Sequence, residues 1–207
     1  MKISYAITVC NELVEIQRLL PFLIENKREK DEIVVFYDTN NGSKAVEDYL
    51  RAQSVNTTKF RWLGYHFDGH FANMKNALTE ACLGNYIFQI DADEIPSKYL
   101  MQYLPILLKS NDVEVLRVPR VNTVKGLTQE HIQKWGWIVD NHGRINWPDL
   151  QGRIYANNGK IKWKNKVHEV LEGYQTHAIL PLETEFALEH HKDIERQEKQ
   201  NVYYDTL

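Results

Sequence analysis

The chain has 207 residues, is 43% hydrophobic and 26% charged, and carries a formal net charge of -3. That composition supports one domain with a real core and excludes a global attraction to nucleic acid. No apolar run approaches the roughly 20 residues that span a bilayer, so no membrane span is expected, with peripheral attachment left open. Cys10 and Cys82 lie in apolar stretches and read as reduced core residues. Together with a start too short and strand-like for a signal peptide, they give a cytoplasmic expectation.

Taken in order, residues 3–10 form a continuous apolar strand of the kind a parallel sheet buries on both faces. Asn11 is expected to cap a helix in which Leu13, Ile16, Leu19, Leu20 and Leu23 keep helical spacing, with Pro21 kinking or dividing it. Residues 32–37 read as a second strand ending at Asp38, before the turn formers Thr39-Asn40-Asn41-Gly42. A helix over 43–52, a short strand over 59–63 and a helix over 71–82 closed by Gly84 follow.

The next strand is the most informative. Tyr86-Ile87-Phe88-Gln89-Ile90 climbs out of Gly84-Asn85 and stops in Asp91-Ala92-Asp93-Glu94. Residues i and i+2 of a strand share a face, so Asp91 and Asp93 are expected to point together. Two carboxylates held together repel unless something positive sits between them, and a hard divalent cation is the usual answer. Helix capping by one acid is the alternative, but it does not account for the whole run. Strand and helix thus alternate four times, the pattern of a doubly wound parallel α/β sheet with helices on both faces. Ligands of such sheets bind beyond the carboxyl ends of the strands, where Asn11-Glu12, Asp38 and Asp91–Asp93 all lie.

A helix over 97–109 capped by Ser97 ends this first half. From residue 113 onward, short strands alternate with Gly and Asn turns such as Asn141-His142-Gly143 and Asn157-Asn158-Gly159. Without a Pro/Ser-rich linker, residues 1–110 and the smaller β-rich part at 111–207 are expected to pack directly as one domain. Trp135, Trp137, Trp147 and Trp163 fall in that second part and read more readily as core than as ligand platforms. Residues 192–207 are polar and helix-prone with little apolar stripe, and are expected either on the surface or to mature only in an assembly.

A strand ending in Thr8-Val9-Cys10-Asn11-Glu12, a second ending in Asp38, and Ile90-Asp91-Ala92-Asp93-Glu94 resemble glycosyltransferase family 2, whose fold is the Rossmann-like GT-A. The resemblance covers roughly residues 3–100. Val167-His168-Glu169 and His190-His191 extend it toward the small bacterial enzymes that decorate lipopolysaccharide cores and related surface glycans. The chain departs from the pattern at Asp38-Thr39-Asn40-Asn41, where the family usually has a second acid or a serine.

The resemblance implies a metal-dependent transfer of a sugar from a nucleotide donor, a UDP-sugar first among candidates, to a hydroxyl of a glycan or glycolipid, with inversion. It makes residues 1–110 the nucleotide-sugar half and 111–207 the acceptor half. Asn11, Glu12 and Asp38 would edge base and ribose, because carboxylates accept from diol and imide donors. Glu12 reads equally as a first-turn acid favoured by the helix dipole, and Asp38 as a turn former. Lys75-Asn76 matches a basic residue followed by Asn, so Lys75 would meet the pyrophosphate, although a solvated helix lysine is its plain alternative. Asp93 is the leading ligand for Mn²⁺ or Mg²⁺, Asp91 contacts ribose or metal through water, and His190 is the candidate that completes the set and favours manganese. Glu169 and Asp149 are both candidates for the base that takes the acceptor proton, with Glu169 preferred because it comes with the family motif. Arg153, beside Trp147-Pro148-Asp149 in sequence, and His168 are candidate donor-binding residues. A nucleotidyltransferase on a similar sheet and a non-catalytic sugar- or nucleotide-binding protein are the rival readings. The first strand's Cys10-Asn11-Glu12 lacks the Gly-rich loop a nucleotidyltransferase needs.

Overall fold

Apolar runs of period two build the centre of the protein, and the helices between them cover both of its faces. The computed structural model describes the backbone of residues 1–205 and the side chains of residues 1–202; 206 and 207, the end of the expected polar helix, lie outside the described residues. Strands β1 (Ile3–Val9), β2 (Glu32–Asp38), β3 (Arg61–Tyr65) and β4 (Tyr86–Asp91) alternate with helices α1 (Leu13–Asn26), α2 (Lys44–Asn56) and α3 (Phe71–Ala81). Next come β5 (Glu94–Pro96), α4 (Lys98–Ser110), β6 (Val115–Lys125), α5 (Gln129–Trp135) and β7 (Leu150–Ala156). The short strands β8 (Lys162–Lys164), β9 (Val170–Glu172) and β10 (His177–Ile179) precede β11 (Leu188–Asp193) and α6 (Ile194–Asp205).

Strands β3, β2, β1 and β4 lie side by side and parallel. The second half continues the same sheet: β7 pairs antiparallel with β4, β6 antiparallel with β7, and β11 parallel with β6. The far side of β11 takes β5, antiparallel. Strand β11 therefore sits between an element from each half of the chain, and it governs the site described below.

Alternation along the central strands divides the core. Ile3, Tyr5, Ile7 and Val9 of β1 and Phe88 and Ile90 of β4 face one side, where Ile16, Leu19, Leu20 and Leu23 of α1 and Leu100 and Leu104 of α4 cover them. Ala6 and Ile87 face the other side, against Ala72, Met74 and Leu78 of α3 and against Trp163 and Leu171 of the β8–β9 hairpin. Trp163 is thus core, as expected, whereas Trp135, Trp137 and Trp147 are half-exposed.

Local signals differ from expectation in four places. Helix α1 runs unbroken through Pro21, which lies on the exposed face; the proline removes the N–H that would bond the Gln17 carbonyl, but no apolar packing is lost there. Its N-cap position is Glu12 rather than Asn11, and no side chain caps it. Gly84 is not a left-handed cap of α3, which ends at Cys82 in extended backbone. A Cβ at Gly84 would instead lie 2.5 Å from Ser4 Oγ and 2.6 Å from Ser4 N, so close approach to β1 requires glycine. The expected terminal helix begins late, because 188–193 form β11. Ser97 caps α4 as expected, accepting from Leu100 N–H at 2.9 Å.

Gln89, in the middle of β4, is fully buried, and neither polar atom of its amide has a hydrogen-bond partner among the described residues. Leaving an amide unpaired in the core costs free energy that an apolar group of similar length avoids. Gln89→Leu is expected to raise the urea midpoint at unchanged slope, a gain of about 1 kcal/mol; an unchanged or lower midpoint would show that the amide is satisfied in solution.

Candidate active site

Because β1, β2 and β4 are parallel, their polar carboxyl ends open on one side. They floor a cleft of about 1400 Å³ lined by Asn11, Glu12, Asp38, Asp91 and Asp93 from the first half. From the second half come Arg120, Asp149, Arg153, His168, Glu169, His190, Lys192 and Arg196. Strand β4 ends at Asp91, and Asp93 stands in the turn before β5, so strict strand alternation does not extend to both acids. Each carboxylate has its own set of positive neighbours.

Asp91 Oδ2 accepts from Arg153 Nη2 at 2.6 Å, and its Oδ1 lies 3.4 Å from Lys75 Nζ. Burial opposes the charged form, but Arg153 and then Lys75 outweigh it and hold the Asp91 carboxyl well below its usual range. Asp93 Oδ2 lies 3.4 Å from His190 Nε2 and 3.6 Å from both Lys192 Nζ and Arg196 Nη2. Burial again opposes, and His190, Lys192 and Arg196 again prevail.

Beneath them lies Glu94, fully buried. Its Oε1 accepts from Arg120 Nη1 at 2.8 Å and Arg153 Nη2 at 2.6 Å, while its Oε2 accepts from the Asp91 N–H at 3.2 Å. Arg120 reaches on to Asp149 at 2.8 Å. Three strands, β5, β6 and β7, are joined by one carboxylate.

The pairing of β11 carries His190 into the site, opposite Asn122 on β6 and Glu94 on β5. Asp149 can only accept, so Asn122 donates to it through Nδ2 at 2.7 Å and turns Oδ1 toward His190 Nδ1, 2.6 Å away. That network assigns the proton to Nδ1 and leaves Nε2 facing Asp93. An imidazole fixed through Nδ1, with Nε2 turned to a carboxylate, is the arrangement of metal-binding histidines. Asp93 and His190 therefore fit as donors to one divalent cation. No group of three or more His, Cys, Asp or Glu among the described residues forms a metal cluster, so the rest of such a cation's shell would have to come from ligand and water.

The remaining candidates divide. Glu12 Oε2 accepts from the N–H groups of Cys10 at 2.7 Å and Asn11 at 3.0 Å, and its other oxygen meets Arg196 at 3.2 Å. Burial pushes its carboxyl upward. Asp38 Oδ1 accepts from the Asn40 and Asn41 N–H groups, which makes it a turn former that also borders the cleft. Cys10 lines the cleft rather than the core, with its thiol pushed up to about 12 by burial and by Glu12 and Asp38. Lys75 is no solvated helix lysine: it is 5% exposed, 3.3 Å from Glu169 and over the Trp163 ring. Asn76 does not line the cleft, because its amide clasps the Trp163 backbone in both directions, at 2.9 and 2.8 Å. Asp149 is held low by Arg120, Asn122 and Gln151 against the effect of burial. His168 and Asn165 have φ of 54° and 75°, a left-handed backbone that Asn and His adopt more readily than most residues, in the loop that leads to Glu169.

Sequence reasoning missed Glu94's role as well as Arg120, Lys192 and Arg196. Glu94 stood in the motif without a function; the others become visible only once β6 and β11 are paired.

No protein-family model matches the chain, and no curated protein matches it either. Among solved structures it is similar to the S. aureus TarS 1–349 fragment, at 13% identity and a TM-score of 0.62, over 93% of this chain and 60% of that one. The same fragment in complex with UDP-GlcNAc gives 15% identity and a TM-score of 0.63, over 93% and 59%; in complex with UDP it gives 15% and 0.63, over 94% and 61%. The chain thus spans about 60% of the length of the fragment it matches. The shared architecture is that of GT-A glycosyltransferases, and this chain has that fold.

Two outcomes follow from the charge network. Removing the Glu94 carboxylate leaves Arg120 and Arg153 buried without their shared partner, so Glu94→Ala is expected to cost about 3–5 kcal/mol in urea unfolding. Asp91 and Asp93 have folded-state values below those of the unfolded chain. The stability they contribute is complete above the unfolded carboxyl range, about pH 4, and is lost as pH falls from there toward the folded values. Unfolding midpoints from pH 6 to pH 3 should fall more steeply for the wild type than for Asp93→Asn; equal slopes would mean Asp93 is not so perturbed.

Proposed function

We propose that the chain is a glycosyltransferase that takes a sugar from a UDP-sugar and moves it, with inversion, to a hydroxyl of a glycan or glycolipid. The observation that carries this reading is the pair Asp91 and Asp93 on the floor of the cleft, each opposed by cations from the second half, in the fold shared with the TarS fragment. Asn11, Asp38 and Asp91 border the part of the cleft suited to base and ribose. Both cysteines are free thiols, which suits the cytoplasmic location proposed with it.

Displacement at the anomeric carbon requires a leaving diphosphate that tolerates charge and a hydroxyl that can lose its proton. Asp93 and His190 would hold a Mn²⁺ or Mg²⁺ ion, and such an ion neutralises charge developing on a departing diphosphate. The acceptor oxygen bonds to the anomeric carbon as the bond to the β-phosphate oxygen breaks, UDP departs, and the hydroxyl proton passes to Glu169. Glu169 is preferred over Asp149 on partners. Asp149 is engaged by Arg120, Asn122 and Gln151 and held low, which makes it a weak base. Glu169 has Lys75 at 3.3 Å and lines the cleft. Lys75 stands between Glu169 and Asp91 and keeps the proton acceptor and the donor-side acid in fixed relation.

The test is UDP release from a panel of UDP-sugars with a glycan acceptor mixture, with and without Mn²⁺. Asp93→Ala is expected to lose roughly a hundredfold or more in turnover, and wild-type rates in that variant would remove the role given to Asp93. Glu169→Gln should lose about 10²–10⁴ in turnover while still binding UDP, and Asp149→Asn much less. If Asp149→Asn alone abolishes turnover, the base is Asp149; if neither does, no base lies among these residues.

A further inference from the structure

Lys192 and Arg196 approach the cleft from the last strand and helix, and both stop at the same atom, Asp93 Oδ2, at 3.6 Å. At that distance they are ion contacts rather than hydrogen bonds, so their N–H groups are not saturated by Asp93. Lys192 also donates to Gln200 Oε1 at 2.5 Å, and Arg196 also meets Glu12 at 3.2 Å and Glu15. Arg120 and Arg153 also line the cleft, but each is committed to the buried Glu94 as well as to Asp149 or Asp91. The acids that neutralise Lys192 and Arg196 instead all line the cleft.

An anionic ligand entering here meets carboxylates first. Glu12, Asp91 and Asp93 would repel a diphosphate unless positive groups could turn from them to it. A guanidinium fork and an ammonium, side by side, are the groups that match phosphate oxygens. We propose that Lys192 and Arg196 bind the diphosphate of the donor directly, exchanging Asp93 for phosphate, so that the chain keeps diphosphate affinity when no divalent cation is present. The inference rests on the nucleotide-donor reading above and adds to it two residues and a degree of metal independence.

The experiment is calorimetric titration of the full chain with UDP and with uridine, in EDTA and in Mn²⁺. In EDTA the wild type should bind UDP more tightly than uridine, and the difference should shrink as KCl is raised. Lys192→Met and Arg196→Gln should each lose about tenfold in UDP affinity in EDTA, with uridine affinity unchanged. The inference is overturned if UDP loses its advantage over uridine in EDTA, or if both folded variants keep wild-type UDP affinity there. Should either variant fail to fold by circular dichroism, the wild-type EDTA and salt series still decides the matter. A wild type that binds neither UDP nor uridine even with Mn²⁺ defeats the donor reading, and this inference with it.

Discussion

One buried carboxylate holds the two halves of this protein in register. Glu94 receives Arg120 from β6 and Arg153 from β7 and takes the backbone N–H of Asp91 on its second oxygen. Ionised groups removed from water are tolerated only when their partners are fixed and complete. The arrangement therefore favours one geometry over near alternatives, because a slip of any strand strands a charge. Hydrophobic contacts could join β4 to β7 and β6 in more than one register at small cost; this network could not. The acids of the cleft inherit their positions from it, since Arg153 reaches Asp91 and Arg120 reaches Asp149. The sheet is thus continuous in hydrogen bonding and also pinned electrostatically where ligand would lie.

A second layer of order runs sideways from the same place. Asp149, Asn122 and His190 form a chain in which a carboxylate orients an amide and the amide orients an imidazole. The candidate metal ligand His190 is in this way oriented from β6 and from the turn that carries Asp149. Trp137 lines the same cleft and packs against Trp135, which stacks with His131 of α5. His131 in turn lies 3.4 Å from Glu198 on α6. Helix α5 and the Trp137 side of the cleft are therefore in contact with α6.

Much of this was legible in the amino-acid sequence, for reasons that also explain the rest. Strands β1, β2 and β4 announce themselves through long apolar runs, and parallel order follows from the helices between them, so the acids at their ends fall together. His190 was within reach because two histidines follow an apolar stretch. Lys192 and Arg196 were not: Lys192 sits near the polar end of β11, and Arg196 is on helix α6, which has no apolar stripe and meets Glu12, Glu15 and Asp93 through ion pairs. Hydrophobic periodicity cannot register a face whose partners are charges. Lys75 and Asn76 look alike as neighbours in a motif, yet α3 turns the lysine to the cleft and the asparagine to β8. Asp38 was readable as a turn former or a ligand contact, and the Asn40 and Asn41 amides take up the first of these roles.

The position of β11 has a consequence for how the protein comes into being. The acids at the ends of β1, β2 and β4 meet only when β4 lies beside β1, a pairing that brings Thr8 next to Asp91 across 83 residues of chain. The counter-charges of Asp93 come from β11 and α6, and β11 must lie between β5 and β6, closing a loop of about half the chain. Without β11 and α6, Asp93 would lack His190, Lys192 and Arg196, whereas Asp91 and Glu94 would keep their partners on α3, β6 and β7. The Asp93 side of the cleft is therefore complete only in a chain whose β11 lies between β5 and β6.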